Sequence, residues 1–174
     1  MAYTLQQLTD IEAIKVVKHR YFRGIDTADM ELLGGLFTED VAVDYRGGNY
    51  RVELQGRAEM LVFLANSFHS GAVAMHHGHM PEITLNGPDS ADGIWYLEDI
   101  FINLELKTHT SGTAIYRDEY RREGTAWKIA RSEYDRVMEV VLPLDPAARI
   151  TAHHLAKAGL RPEQRSDISR MISW

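Results

Sequence analysis

The chemistry in this chain is concentrated in a few histidines and carboxylates. Met75-His76-His77-Gly78-His79 is its densest run of titratable groups. A free imidazole changes charge near neutrality, which suits a general base at physiological pH. In an extended strand His77 and His79 share one face and His76 points the other way. Two histidines two apart can begin a metal site, but Zn²⁺ takes three or four protein ligands. The sequence does not fix the remaining ligands, so no metal is assigned. Each histidine alone also reads as a hydrogen-bonded structural residue, and the adjacent His153 and His154 as solvent-facing.

In Ile94–Phe101, alternation puts Trp95, Leu97, Asp99 and Phe101 on one face and Ile94, Tyr96, Glu98 and Ile100 on the other. One of the two acids therefore sits among core-facing residues, where an unpaired carboxylate is costly. Asp99, on the more aromatic face, is the stronger candidate for chemistry. It can also cap a loop or pair with an arginine for purely structural reasons. Tyr21 and Asp26 stand five apart at the end of a helix, and spacing alone makes them a core aromatic and a cap.

These residues must be held by helices and strands. Thr9 and Glu12 fit a capping box, and Ile11, Ile14, Lys18, Tyr21 and Ile25 follow at three- and four-residue spacing. A second helix is expected over Asp29–Phe37 and a third over Arg57–Phe68. Val41–Tyr45 alternates and leads into a Gly47-Gly48-Asn49 turn. Strands are expected over Met75–Leu85, interrupted at Pro81, then Gly93–Leu106, Ser111–Arg122 and Trp127–Val141. The fold class is α+β, with three N-terminal helices packed on one face of a curved sheet. Residues 1–142 form the α+β domain. Residues 143–174 form a C-terminal arm, helical over Ala147–Ala158, that covers a pocket or reaches a neighbouring subunit.

Composition excludes several classes. A chain of 174 residues, 45% hydrophobic, can form a core without a disulfide or metal. Its net charge of −6 offers no basic stripe for nucleic acid. It has no cysteine, and so no thiolate nucleophile. The start MAYTLQQLTD lacks the pattern of a signal peptide, and no apolar run is long enough to span a membrane. A cytoplasmic protein with no membrane or nucleic-acid partner is expected.

Taken jointly, the motifs resemble the bacterial bile-acid 7α-dehydratases. Asp10–Lys15, Tyr21-Phe22-Arg23 and Asp26 are similar to their opening. Met75-His76, Gly78-His79, Pro81–Thr84 and Trp95–Asp99 continue the pattern in order. Tyr116, Asp118, Tyr120, Gly124–Trp127 and Tyr134-Asp135-Arg136 close it, so that the likeness covers about residues 10 to 138. That family belongs to the SnoaL-like group, whose nuclear-transport-factor-like, cystatin-like cone is shared by scytalone dehydratase, steroid Δ-isomerase and hexachlorocyclohexane dehydrochlorinase. The resemblance implies catalytic roles for Tyr21, Asp26, His76, Asp99 and Arg136, with Trp95, Leu97, Tyr116 and Tyr134 against the substrate.

It further implies a lyase without cofactor, acting on a small apolar cyclic hydroxy-ketone. His76 would be the base, Asp26 its orienting partner and Tyr21 the donor to the oxyanion. Asp99 would orient Tyr21 or protonate the leaving hydroxyl, and Arg136 would hold Asp99 ionised or bind an acidic group. A homo-oligomer is implied, a trimer or alternatively a dimer. A dehydrochlorinase or isomerase would use the same pair of residues. A non-catalytic reading, as the small subunit of a ring-hydroxylating dioxygenase, leaves their coincidence unexplained. His77 replaces an apolar residue of the family, and Arg46–Leu54, Leu104–Gly112 and the arm after Val141 do not match, which leaves the substrate open.

Overall fold

The computed structural model describes residues 3–174; the first two residues of the expected leader-free start lie outside them. Helix α1 (Leu5–Thr27) begins one turn earlier than its apolar pattern indicates. The capping box is Thr4 with Gln7: the Thr4 hydroxyl accepts from the Gln7 N–H, and the Gln7 side chain accepts from the Thr4 N–H. Thr9 instead donates to the Leu5 carbonyl, and Glu12 pairs with Lys15. Both positions carry the same local signature, and the outer turn won because it satisfies the backbone donors that the inner one would leave open. Ala28, in the left-handed conformation, ends the helix.

Asp29 caps α2 (Met30–Leu36) by accepting from the Leu32 N–H. The two helices cross closely at Gly24, where a Cβ would lie 2.8 Å from Leu33 Cγ. Strand β1 (Phe37–Arg46) turns through Gly47–Asn49 into β2 (Arg51–Gln55), as expected, and α3 (Arg57–Ser67) follows. The long strands come next: β3 (Ala72–Leu85), β4 (Ser90–Asn103), β5 (Thr108–Glu123) and β6 (Ala126–Pro143). The sheet order is β3-β4-β5-β6-β1-β2-β7, where β7 is Ile172–Ser173. All pairings are antiparallel except β1 with β6, so the sheet is mixed.

Four register shifts, one each in the β1/β6 and β3/β4 pairings and two in β5/β6, bend the ribbon, since each bulge increases local twist. Pro81 does not end β3. It lies in an edge strand, inside the shift between His79 and Glu82, where its missing N–H breaks no ladder bond. The core lies between α1 and one face of the sheet and includes Ile14, Phe22, Ile25, Trp95, Leu97 and Ile129. The fold is α+β, as expected.

The arm departs from expectation. Only Leu155–Ala158 is α-helical (α4), followed by single 3₁₀ turns at Pro162–Gln164 and Ser169–Met171. A twelve-residue helix needs an apolar face to bury, and over 147–158 only Leu155 is buried. The arm packs on its own chain. Ser70 N–H donates to the Leu160 carbonyl, Met171 is buried, and β7 extends the sheet beside β2. His153, expected in solvent, is half-buried against the Ala72 carbonyl, whereas His154 is exposed. No described helix is long and apolar enough to cross a membrane.

Candidate active site

Asp26, in the last turn of α1, faces the edge strand β3. Its carboxylate accepts from His76 twice, from the backbone N–H at 3.0 Å and from ring Nδ1 at 2.7 Å. Nδ1 is therefore the protonated nitrogen, which leaves the Nε2 lone pair available. Nε2 has no hydrogen-bond partner among the described residues. The ring lies parallel to Phe22 (centroids 6.3 Å apart) and meets Phe68 edge-on at 5.3 Å, leaving the side chain 8% exposed. Between α1 and the free edge of β3 runs a groove of about 450 Å³, bordered by Phe22, Arg23, Asp26 and the run His76–His79. It opens at the edge of the sheet and carries charged and polar groups beside the Phe22 ring.

Asp99 is the register partner of His76 on β4, so the two project from the same face. Its carboxylate is 4% exposed and takes two bonds from Arg136, at 2.5 and 2.8 Å. Arg136 Nε lies 3.0 Å from Glu139. Arg136 stands in register with Ala114 and reaches Asp99 across Gly112, the register partner of Asp99; a Cβ on Gly112 would sit 3.2 Å from Arg136 Nη1. Burial opposes the guanidinium charge, but the bonds and field of Asp99 outweigh it, so Arg136 is held more firmly protonated than usual. A fork-to-fork pair of this kind fits an ionised carboxylate. That disfavours Asp99 as a proton donor, and no bond joins it to Tyr21.

Tyr21 belongs to a different, deeper cluster. Its hydroxyl lies 3.0 Å from that of Tyr45, which donates to Ser132, which donates to Asp118. Tyr120 also donates to Asp118 and accepts from Trp95 Nε1. The Lys18 ammonium completes the cluster 2.7 Å from Asp118 and 3.5 Å above the Tyr116 ring, with neither charged side chain exposed. Burial lowers the Lys18 pKa, with Asp118 only partly offsetting it. Burial likewise pushes the hydroxyls of Tyr21, Tyr45, Tyr116 and Tyr134 well above their ordinary range, so all stay protonated. Of the expected substrate-facing residues, Trp95, Leu97, Tyr116 and Tyr134 are all buried in this interior.

The fold thus joins Asp26 to His76 and Asp99 to Arg136, and sets Tyr21 apart. Sequence reasoning missed Lys18, Gly112 and Glu139. A lysine on the apolar stripe of α1 was the visible signal for Lys18.

A family model for the SnoaL-like domain matches residues 6–133. Hexachlorocyclohexane dehydrochlorinase LinA-type3 from Novosphingobium barchaimii superposes with a TM-score of 0.71 at 17% identity, over 85% of this chain and 98% of that one. A candidate scytalone dehydratase from Novosphingobium aromaticivorans gives 0.66 at 21%, over 82% and 96%. An NTF2-like protein with a cystatin-like fold from the same species gives 0.62 at 22%, over 76% and 85%. At these identities the likeness establishes the shared fold, an open mixed sheet wrapped on helices.

Proposed function

Because the chain belongs to the SnoaL-like domain family, we propose that it is a carbon–oxygen lyase: a dehydratase that removes water from an apolar cyclic hydroxy-ketone, steroid-like or polyketide-like, without a cofactor. The observation that carries this reading is the Asp26–His76 pair, bonded at 2.7 Å beside an open groove.

His76 Nε2 takes the proton from the carbon next to the ketone, and the C–H electron pair moves onto the carbonyl oxygen. Asp26 stabilises the imidazolium, as the carboxylate of a catalytic triad does. The enolate then re-forms its carbonyl and expels the hydroxyl from the neighbouring carbon. With Asp99 bound to Arg136, the imidazolium is the acid at hand, and it returns the proton to make water. Base and acid being one group, both leave from the same face of the substrate. Tyr21, bonded to Tyr45 in the deeper cluster, does not line this groove, so the enolate oxygen takes no bond from it in this arrangement. Arg136, fixed by Asp99 and Glu139, binds the polar end of the substrate, while Phe22 forms the apolar wall of the groove.

The test is turnover of a panel of cyclic hydroxy-ketones followed by mass spectrometry. His76→Ala and Asp26→Asn should each lower the rate on the order of a hundredfold or more. Wild-type rates in His76→Ala would defeat the reading, and loss of chloride, or no mass change, would replace water as the leaving group. We also infer a trimer. The end of β6 exposes Val137, Met138 and Val140–Leu142, an apolar run of the kind that marks an interface. Light scattering at a monomer or dimer mass would refute it.

A further inference from the structure

His77 and His79 take no part in the chemistry above. They alternate with His76 along β3 and border the same groove, and the sequence leaves their third ligand open. The fold supplies one. Glu98 is the register partner of His77 on β4 and projects from the same outer face. One ligand atom from each of His77, His79 and Glu98 lies within 4.8 Å of the other two.

We propose that His77, His79 and Glu98 bind a first-row divalent cation, with Zn²⁺ as its representative. Two ligands at about 2.0–2.2 Å from a tetrahedral Zn²⁺ stand roughly 3.4 Å apart. His79 Nε2 and Glu98 Oε2 are 3.5 Å apart, so these two already span one edge of such a tetrahedron. His77 is exposed, and its ligand atom lies within 4.8 Å of the other two. Two imidazoles and a carboxylate suit Zn²⁺, Ni²⁺ or Cu²⁺ over Mg²⁺ or Ca²⁺, which prefer oxygen. Water fills the fourth position.

The alternative is an ordinary surface ion pair between His79 and Glu98, whose side chains are 43% and 59% exposed. Such pairs contribute little. A bound cation would do more, because it fastens the edge strand to its neighbour just before the chain breaks register at Met80, whose φ is +47°. These are the two strands that carry His76 and Asp99 on their inner face.

The experiment is calorimetric titration of ZnCl₂ into tag-free, chelator-treated protein, with thermal unfolding read alongside. One ion per chain is expected, and His77→Ala, His79→Ala and Glu98→Gln should each weaken binding at least about tenfold, as loss of even an outer-shell partner does. Saturating Zn²⁺ should raise the unfolding temperature of the wild type by roughly 5 °C or more, and not that of His79→Ala. His154→Ala and His76→Ala should bind as the wild type does. Absence of saturable binding, or binding unchanged in His77→Ala and His79→Ala, overturns the proposal. So does its loss in His76→Ala, which would put the ion at the dyad. None of these readouts depends on the lyase assignment.

Discussion

Lys18→Met removes the ammonium from the centre of the deep cluster and leaves everything else in place. Lys18 and Asp118 are 2.7 Å apart with no exposed side-chain surface, so water does not screen the Asp118 charge once the lysine is gone. Asp118 keeps the Ser132 and Tyr120 hydroxyl donors, at 2.7 and 2.8 Å, which soften the loss without supplying a charge. Breaking a buried pair in this way costs about 3–5 kcal/mol. For a domain of this size each kcal/mol moves the midpoint by about 2–4 °C, so thermal unfolding should begin roughly 6–20 °C lower.

The pair itself is not a strong net stabiliser. Burial lowers the Lys18 pKa despite Asp118, so the charged form remains less favourable inside than in water. Removing both charges should therefore recover most of the loss, and Lys18→Met with Asp118→Asn should unfold close to the wild type. Circular dichroism on heating and urea titration measure both variants. If Lys18→Met alone melts where the wild type does, the cluster is not a dry ion pair and the reasoning fails.

Two further outcomes follow from the same geometry. Gly112→Ala puts a methyl 2.5 Å from the Met138 carbonyl oxygen, a backbone atom that cannot rotate away. It should cost about 1–3 kcal/mol in urea denaturation and lower activity by tilting Arg136 off Asp99. His69 meets Gly71 N–H, Arg165 and the arm, and burial, then the Arg165 charge, lowers its pKa below 6.5. Its folded pKa being depressed, the unfolded chain takes the proton first; the contribution is present above about pH 6.5 and is lost as the pH falls through the folded pKa. Protection factors over residues 160–174, taken relative to the intrinsic exchange rate at each pH, should therefore fall as the pH drops from 7.5 to 5, and His69→Gln should remove that dependence.

The parts of the fold that a sequence shows well are local. Gly47–Asn49 and Asn86–Asp89 carry turn chemistry, and the alternation in Trp95–Phe101 assigned the inner face correctly, Asp99 buried and Glu98 exposed. Distant pairings were not legible. The parallel contact of β1 with β6 joins strands with four others between them in the chain, and no short-range signal encodes it. The same limit applies to the site. Asp26 and His76 are 50 positions apart, and only resemblance linked them before the fold showed the bond. Lys18 sat visibly among apolar neighbours, but its partner is a hundred residues away. Gly112 reads as a weak point in a strand until Arg136 is seen passing over it. The arm misled because its alanines favour a helix while burial decides whether one forms.

The central claim is that His76, steadied by Asp26, removes a proton from the carbon beside a ketone. Its most direct test omits the leaving group altogether. In D₂O, NMR of a cyclic ketone of steroid type without the hydroxyl should show deuterium entering at that carbon with wild-type protein, slowed on the order of a hundredfold or more by His76→Ala. Deuterium uptake at the same rate in both proteins would contradict it.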